Sequence, residues 1–236
     1  QDYFAVELTE GDRRSVEVEA IRLGNGLFDP KLRLFGPEGH ERVSEDDTQY
    51  ARQDAAFAYS AIETGTHYLV ISEAAYGGFN GAHYRLHVGT FARPTMATPL
   101  GGKPGETIQV RWLGDAGIAS DAEGNPATHP VALPAVDPAG PDAASGLTVP
   151  VTIDHEFGTA PTPLSFRVVD VPGVLEAEPN NGAAEATQGH APGAFDGVLE
   201  TPGDIDFFTF EATKGQGYHV RVWAREPGSP VDSVLH

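Results

Sequence analysis

The stretch LEAEPNNGAAEAT, residues 175–187, concentrates oxygen donors. Glu176 and Glu178 stand two apart, Pro179 follows, and then come Asn180, Asn181 and Gly182. Carboxylates and amides are the ligands a hard cation such as Ca2+ takes, about six to eight oxygens at about 2.3–2.6 Å. In an extended chain residues two apart share a face, the residue before a proline is biased to be extended, and Asn-Asn-Gly favours a turn. A straight strand from residue 176 to 181 spans roughly 16 Å, so one ion could gather these groups only if the chain bends at Pro179–Asn181. The competing reading is a solvated polar linker.

Other candidate chemistry is weaker. Glu45, Asp46 and Asp47 form a second acidic stretch, read as a charged surface loop. His83 and His87 are four apart, a metal-pair spacing on a helix, but their segment reads as a strand, where they would lie roughly 13 Å apart. His155–Glu156 has no second histidine four residues after the first, so it is not a zinc-protease motif. There is no G-x-S-x-G elbow and no phosphate-binding glycine loop. The chain is therefore expected not to be an enzyme.

The 236 residues, 40% of them hydrophobic, can build real cores. With 28 Gly and 19 Pro, long helices are not expected. Cysteine is absent, which rules out disulfides and thiol chemistry. The formal net charge of −19 repels nucleic acid and anionic membrane and suits divalent cations. No apolar run approaches the ~20 residues of a membrane span. Residue 1 is Gln, and no signal peptide is visible, so the chain reads as mature, trimmed, or a window on a longer polypeptide.

The elements that must position these groups are organised by an internal repeat. DYFAVELTEGDRRSVEVEAIRLG from residue 2 matches DFFTFEATKGQGYHVRVWAREPG from residue 206. At a constant offset of 204, Asp2 matches Asp206, Phe4 matches Phe208, Gly11 matches Gly215, and Val16 and Val18 match Val220 and Val222. Each copy reads as strand, glycine turn, strand, with Phe4, Val6 and Leu8 alternating toward a core, as do Phe208, Phe210 and Ala212. KLRLF, AAFAYSA, THYLVIS and HYRLHVG follow as short strands, separated by Gly- and Asp-rich pieces such as GPEGHERVSEDD. This is the pattern of an antiparallel β-sandwich.

Prolines 94 and 99 mark a boundary. Beyond it TIQVRWLG, LTVPVTID and LSFRVVDV read as strands around a long Pro-, Ala- and Asp-rich loop with at most one weak strand. The expected organisation is a sandwich over 1–93, a small immunoglobulin-sized sandwich over 94–175, and the opening part of a second copy over 176–236. The partial copies expose strand edges, which invite pairing with another chain.

EAEPNNGAAEAT, GVLETPGDIDFFTFEATKGQ and REPGSPVDSVLH, together with LGNGLFDPKLRLFGPEGHERVSEDD and ETGTHYLVIS, resemble the bacterial pre-peptidase C-terminal domain family over residues 1–91 and 176–236. The alternation with an immunoglobulin-like block resembles large exported proteins of planctomycete-type bacteria. The resemblance implies an all-β chain of tandem antiparallel β-sandwiches: a jelly-roll sandwich, an immunoglobulin-like one, and a partial second jelly roll. It implies a non-catalytic module at the cell surface or outside the cell. Collagen-binding domains of collagenases are relatives, and their calcium lies where the linker meets the sandwich. The matching positions are Glu176, Glu178, Asn180 and Asn181, with Asp204 and Asp206 at the start of the strand.

The expected function is a structural or adhesive repeat, stiffened by Ca2+ and assembling with copies of itself or neighbouring repeats by strand complementation. The alternative is an accessory module of a secreted hydrolase that binds collagen or polysaccharide. Among the aromatics, Tyr59, Tyr68 and Tyr84 fall within strands and are expected in the core, whereas Tyr76 and Phe79 flank loop glycines and are the candidates for contacting an extracellular polymer. No nucleic acid and no membrane insertion are expected.

Overall fold

The computed structural model describes residues 1–24, 28–48, 51, 53–115, 117–118, 120, 125–136 and 147–235. Tyr50 and most of the long central loop lie outside the described residues. The fold is all-β, of sandwich type, with mostly antiparallel sheets. By contacts the chain divides into two compact units, one of residues 1–95 with 152–163, the other of 96–151 with 164–236.

The first unit holds strands β1 (Asp2–Leu8), β2 (Arg13–Glu19), β3 (Pro30–Phe35), β4 (Glu41–Glu45), β5 (Ala56–Ser60), β6 (Gly65–Glu73) and β7 (Arg85–Gly89). One sheet runs β1-β6-β3-β4 and the other β5-β2-β7, each with antiparallel pairing throughout. Alternation along each strand decides which side chains enter the core. Val16 and Val18 from β2, Leu32 and Leu34 from β3, Phe57 from β5, and Leu69 and Ile71 from β6 meet between the sheets.

Three strand readings are corrected here. GPEGHERVSEDD does not merely separate strands, because Glu41–Glu45 forms β4. Gly39, at φ +80°, closes its hairpin with β3, and Val43 packs against the core. Tyr68 is not a core residue: it is 42% exposed, because β6 turns Leu69 and Ile71 inward and Tyr68 outward. Phe4 is 39% exposed, while Val6 and Leu8 of the same strand pack inward.

The second unit packs two three-stranded sheets around a smaller core. Strands β8 (Met96–Thr98), β10 (Thr107–Leu113) and β11 (His129–Ala132) form one, with β10 central. Strands β9 (Gly101–Gly102), β12 (Leu147–Val151) and β13 (Leu164–Val168) form the other, with β13 central. Trp112 of β10 meets Phe166 of β13 edge-on at 6.2 Å, and both are buried.

The same unit continues through two small parallel ladders. β14 (Gly173–Leu175) pairs with β16 (Ala194–Asp196), and β15 (Thr187–Gly189) with β17 (Phe208–Phe210). The turns of the second copy repeat those of the first. Asp12 N donates to Thr9 O and Gln216 N to Thr213 O, and Gly11 and Gly215 both hold φ +87°. Gly24 and Gly228 likewise close matching turns, onto Ile21 and Arg225. HVRVWA, read as a strand, is not one: residues 219–224 pair with no strand among the described residues. Its counterpart β2 is hydrogen-bonded on both edges, by β5 and β7, whereas 219–224 has no strand on either edge among the described residues; a strand without partner strands gains little to offset the entropy of extending it.

Candidate metal site and a buried ionic network

The chain bends where the first stretch required it. The Glu178–Pro179 bond is cis. Asn180 N then donates to Glu178 Oε2 at 3.0 Å, and Phe207 N donates to Asn180 O at 3.0 Å, which ties the linker to the segment leading into β17. Glu176 is held from β16's side: its N–H donates to Asp196 O at 2.9 Å, and its Oε1 accepts Val198 N at 2.5 Å.

As a result, carboxylate oxygens of Glu176, Glu178 and Asp206 lie within 4.8 Å of one another. It is the one group of three or more such residues that converges in this way among the described residues. Asn180, wholly buried beside them, donates Nδ2 to Glu176 Oε2 at 3.3 Å. Asn180 Oδ1 and Asp206 Oδ1 are buried with no hydrogen-bond partner among the described residues. A buried oxygen without a donor is costly.

Electrostatics say the same. Burial, opposed by the Val198 N–H and reinforced by the charge of Asp206, pushes the Glu176 carboxyl up to about 7. Burial and the neighbouring acids, Asp204 and Glu178 among them, push Asp206 up too, against its hydrogen bond to Glu176. Acids this close cannot all be charged without a cation or a shared proton. Gly197 backs the cluster, since a Cβ there would meet Asp206 Oδ2 at 2.5 Å and Glu176 Oε2 at 2.8 Å.

The other two positions matched on sequence face elsewhere. Asp204 Oδ2 accepts Glu200 N at 2.7 Å, closing a turn, and Asn181 Oδ1 accepts Ile205 N at 3.4 Å. Both therefore help to shape the backbone around the cluster. Gly197 and the Val198 N–H are absent from the sequence-derived set, and no sequence signal marks them beyond GVLETPGD being a glycine-bounded loop.

No protein-family model matches the chain, and no curated protein matches it.

Aromatic candidates also have places. Tyr76 is 86% exposed and sits at φ +60°, a left-handed conformation uncommon for a tyrosine, and Phe79 is 51% exposed nearby. On the outer face of the first unit, the register sets Tyr68 between Ala5 and Phe35, with Tyr3 on the adjacent row. Tyr59 and Tyr84 pack against the core, and Tyr84 donates its hydroxyl to Asp2 at 2.5 Å. His87 meets Glu19 at 2.8 Å, so it is engaged across strands.

A second polar cluster escaped the sequence reading. Glu17 on β2 is fully buried on the sheet's outer face. It is held by Arg22 at 2.9 Å, by Arg93 at 3.4 Å and by the hydroxyl of Thr162. Asp54, also fully buried, accepts Ala20 N, Ile21 N and Arg22 Nε. Arg93 Nη1 donates to Thr162 O at 2.8 Å, and Ser15 donates to Phe91 O at 2.5 Å. Residues 91–93 and 152–163 thus lie across β2 and seal its polar face. A polar residue in strand alternation reads as solvent-facing, so nothing local distinguishes Glu17 from Glu19.

Proposed function

We propose that the chain is a non-catalytic structural or adhesive repeat of an exported, cell-surface bacterial protein, with a joint stiffened by Ca2+. The observation that carries this reading is the convergence of the Glu176, Glu178 and Asp206 carboxylates, with the buried Asn180 amide nitrogen on Glu176 and its oxygen without a partner among the described residues. The donor set is all oxygen and suits a hard cation rather than a soft one. Glu176, Glu178, Asp206 and Asn180 would hold the ion. Its chemistry there is charge neutralisation and cross-linking: it would join the linker at residues 176–180 to the segment at Asp206. Asn181 and Asp204 support the loops around it.

Assembly by strand complementation, with copies of the chain or neighbouring repeats, is part of the same proposal. It is supported by the uncovered apolar side chains of the second copy: Val220 and Val222 are 60% and 43% exposed, whereas their counterparts Val16 and Val18 are 2% and 0% exposed. Resemblance to pre-peptidase C-terminal and immunoglobulin-like domains supports the setting, outside the cytoplasm.

The test is calorimetric titration of the full chain with CaCl2 after chelator treatment. Binding in the micromolar-to-millimolar range, lost in Asp206→Asn, is expected; no heat at millimolar calcium would sink the calcium joint. For assembly, sedimentation over a range of concentrations should show self-association, and a chain that stays monomeric throughout counts against it.

A second reading has its own observation. Tyr68 and Phe35 on one row, with Tyr3 on the adjacent row, form a partly exposed aromatic strip, the feature a collagen- or polysaccharide-binding accessory module would use, with Tyr76 and Phe79 as loop contacts.

A further inference from the structure

The two copies of the repeat carry opposite charges at corresponding positions. At the offset of 204, Glu17 corresponds to Arg221 and Arg22 to Glu226, so the charge types are exchanged along the sequence, while in the structure Glu226 faces Arg167. Glu19 becomes Trp223. The flanking turns match in type, but Glu17 lies on a paired strand and residues 219–224 form none, so the correspondence of these charges is one of sequence.

In the first copy this position selects what lies across it. Glu17 is buried under an extended segment, residues 91–93, which brings Arg93 to its carboxylate and is itself 0–8% exposed. In the second copy the base stands on the chain. Arg221 and Arg167 stack on the Trp223 ring, with their guanidinium carbons 3.8 and 3.7 Å from its centroid. Stacking occupies the π faces of guanidinium and indole and leaves the in-plane N–H donors of Arg221 for a carboxylate, whereas Arg167 Nη1 already donates to Thr148 Oγ1 at 2.8 Å. Arg225 lies close by, paired with Asp232 at 3.4 Å, and Glu226 lies 3.8 Å from Arg167. Arg167, Arg221 and Arg225 are half of the six lysines and arginines of the second unit, gathered in an otherwise acidic chain. An arginine presented here, as Arg93 is presented to Glu17, would meet like charge.

We propose that the face bearing Arg221 and Trp223 binds an extended peptide segment that carries a carboxylate where Arg93 stands in the first copy. The occupant is an acidic strand-like segment, and the charge reversal gives each copy its own partner. The inference rests on the strand-complementation reading above, and its test separates the two.

The probes are the labelled ten-residue peptide VGTFARPTMA, residues 88–97, and the same peptide with Arg93→Glu. Their binding to the full chain is followed by fluorescence anisotropy at low salt with chelator present. The Glu peptide is expected to bind at least tenfold more tightly than the Arg peptide, with affinity falling as salt rises. Arg221→Glu, at an exposed position, should reverse the preference while circular dichroism stays unchanged. Equal affinities, a preference that survives Arg221→Glu, or no binding by either peptide would each overturn the proposal. Because the peptides are read on whatever oligomer the chain forms, a strictly monomeric chain sinks self-assembly without touching this test. Loss of the charge preference sinks this proposal without touching assembly.

Discussion

Asn180 and Glu176 meet side chain to side chain at 3.3 Å, and the amide oxygen left over faces no donor among the described residues. A buried amide oxygen without a donor is costly, and on the proposed calcium reading the ion would relieve that cost. Asn180→Ala is therefore expected to weaken calcium binding by about tenfold or more, in line with losses seen when groups around a metal are removed. Asn181→Ala, which removes only the acceptor for Ile205 N, should change affinity far less. Calorimetry on both variants checks the difference.

Glu176, raised to about 7, makes the joint sensitive to pH. An acid whose folded-state pKa is raised contributes stability that is fully present below its unfolded value and is lost as pH rises through the folded one. Without metal, the second unit should therefore lose stability from about pH 4.5 to above 7. On the proposed calcium reading the ion must displace the proton, so its affinity should climb over the same window. Thermal melts with chelator and with calcium should diverge as pH rises; curves that stay parallel would contradict the assignment.

Gly197→Ala tests the packing behind the cluster. Its Cβ would press on Asp206 Oδ2 and Glu176 Oε2, and so should displace both carboxylates and lower calcium affinity. Gly182→Ala meets nothing within 4 Å and serves as the comparison. Equal affinities for the two variants would place the ion elsewhere.

Glu17 anchors the first unit through Arg22, Arg93 and Thr162. Removing one partner of a buried pair strands the other charge, so Glu17→Ala should destabilise this unit by about 3–5 kcal/mol. Urea unfolding followed by a probe in residues 1–95 measures it. Glu7→Ala, on the exposed side of β1, should cost within about 0.5 kcal/mol.

Tyr68→Ala separates the two readings of the aromatic strip. With Tyr68 42% exposed, its loss should change stability little, within about 1 kcal/mol. If the strip binds collagen or polysaccharide, the variant should lose most of its retention on immobilised polymer. Unchanged retention, or none by the parent chain, leaves the structural reading alone.

Much of the scaffold was legible because it is local. Period-two alternation decided which side of THYLVIS holds Leu69 and Ile71, and TEGD and TKGQG both close turns in which glycine at φ +87° avoids a Cβ clash. The β4 hairpin was hidden because its flanks are rich in Gly and Asp, the residues that usually end strands. HVRVWA misled in the opposite direction, since alternation reports a strand's faces and says nothing about whether partners exist for its edges.

By itself, the sequence determined an all-β chain with two copies of one opening motif, and an oxygen-rich linker needing a bend to gather its donors. Only the tertiary structure decided which donors converge. Asp206 joins Glu176 and Glu178 because the Phe207 N–H bond to Asn180 O ties the linker to the segment leading into β17, while Asp204 and Asn181 are spent on backbone N–H groups. Burial of Glu17 was likewise decided in three dimensions, by residues 91–93 and 152–163 crossing β2. Spacing along a chain fixes faces, whereas convergence and desolvation depend on segments far apart in sequence, whose approach no local pattern encodes.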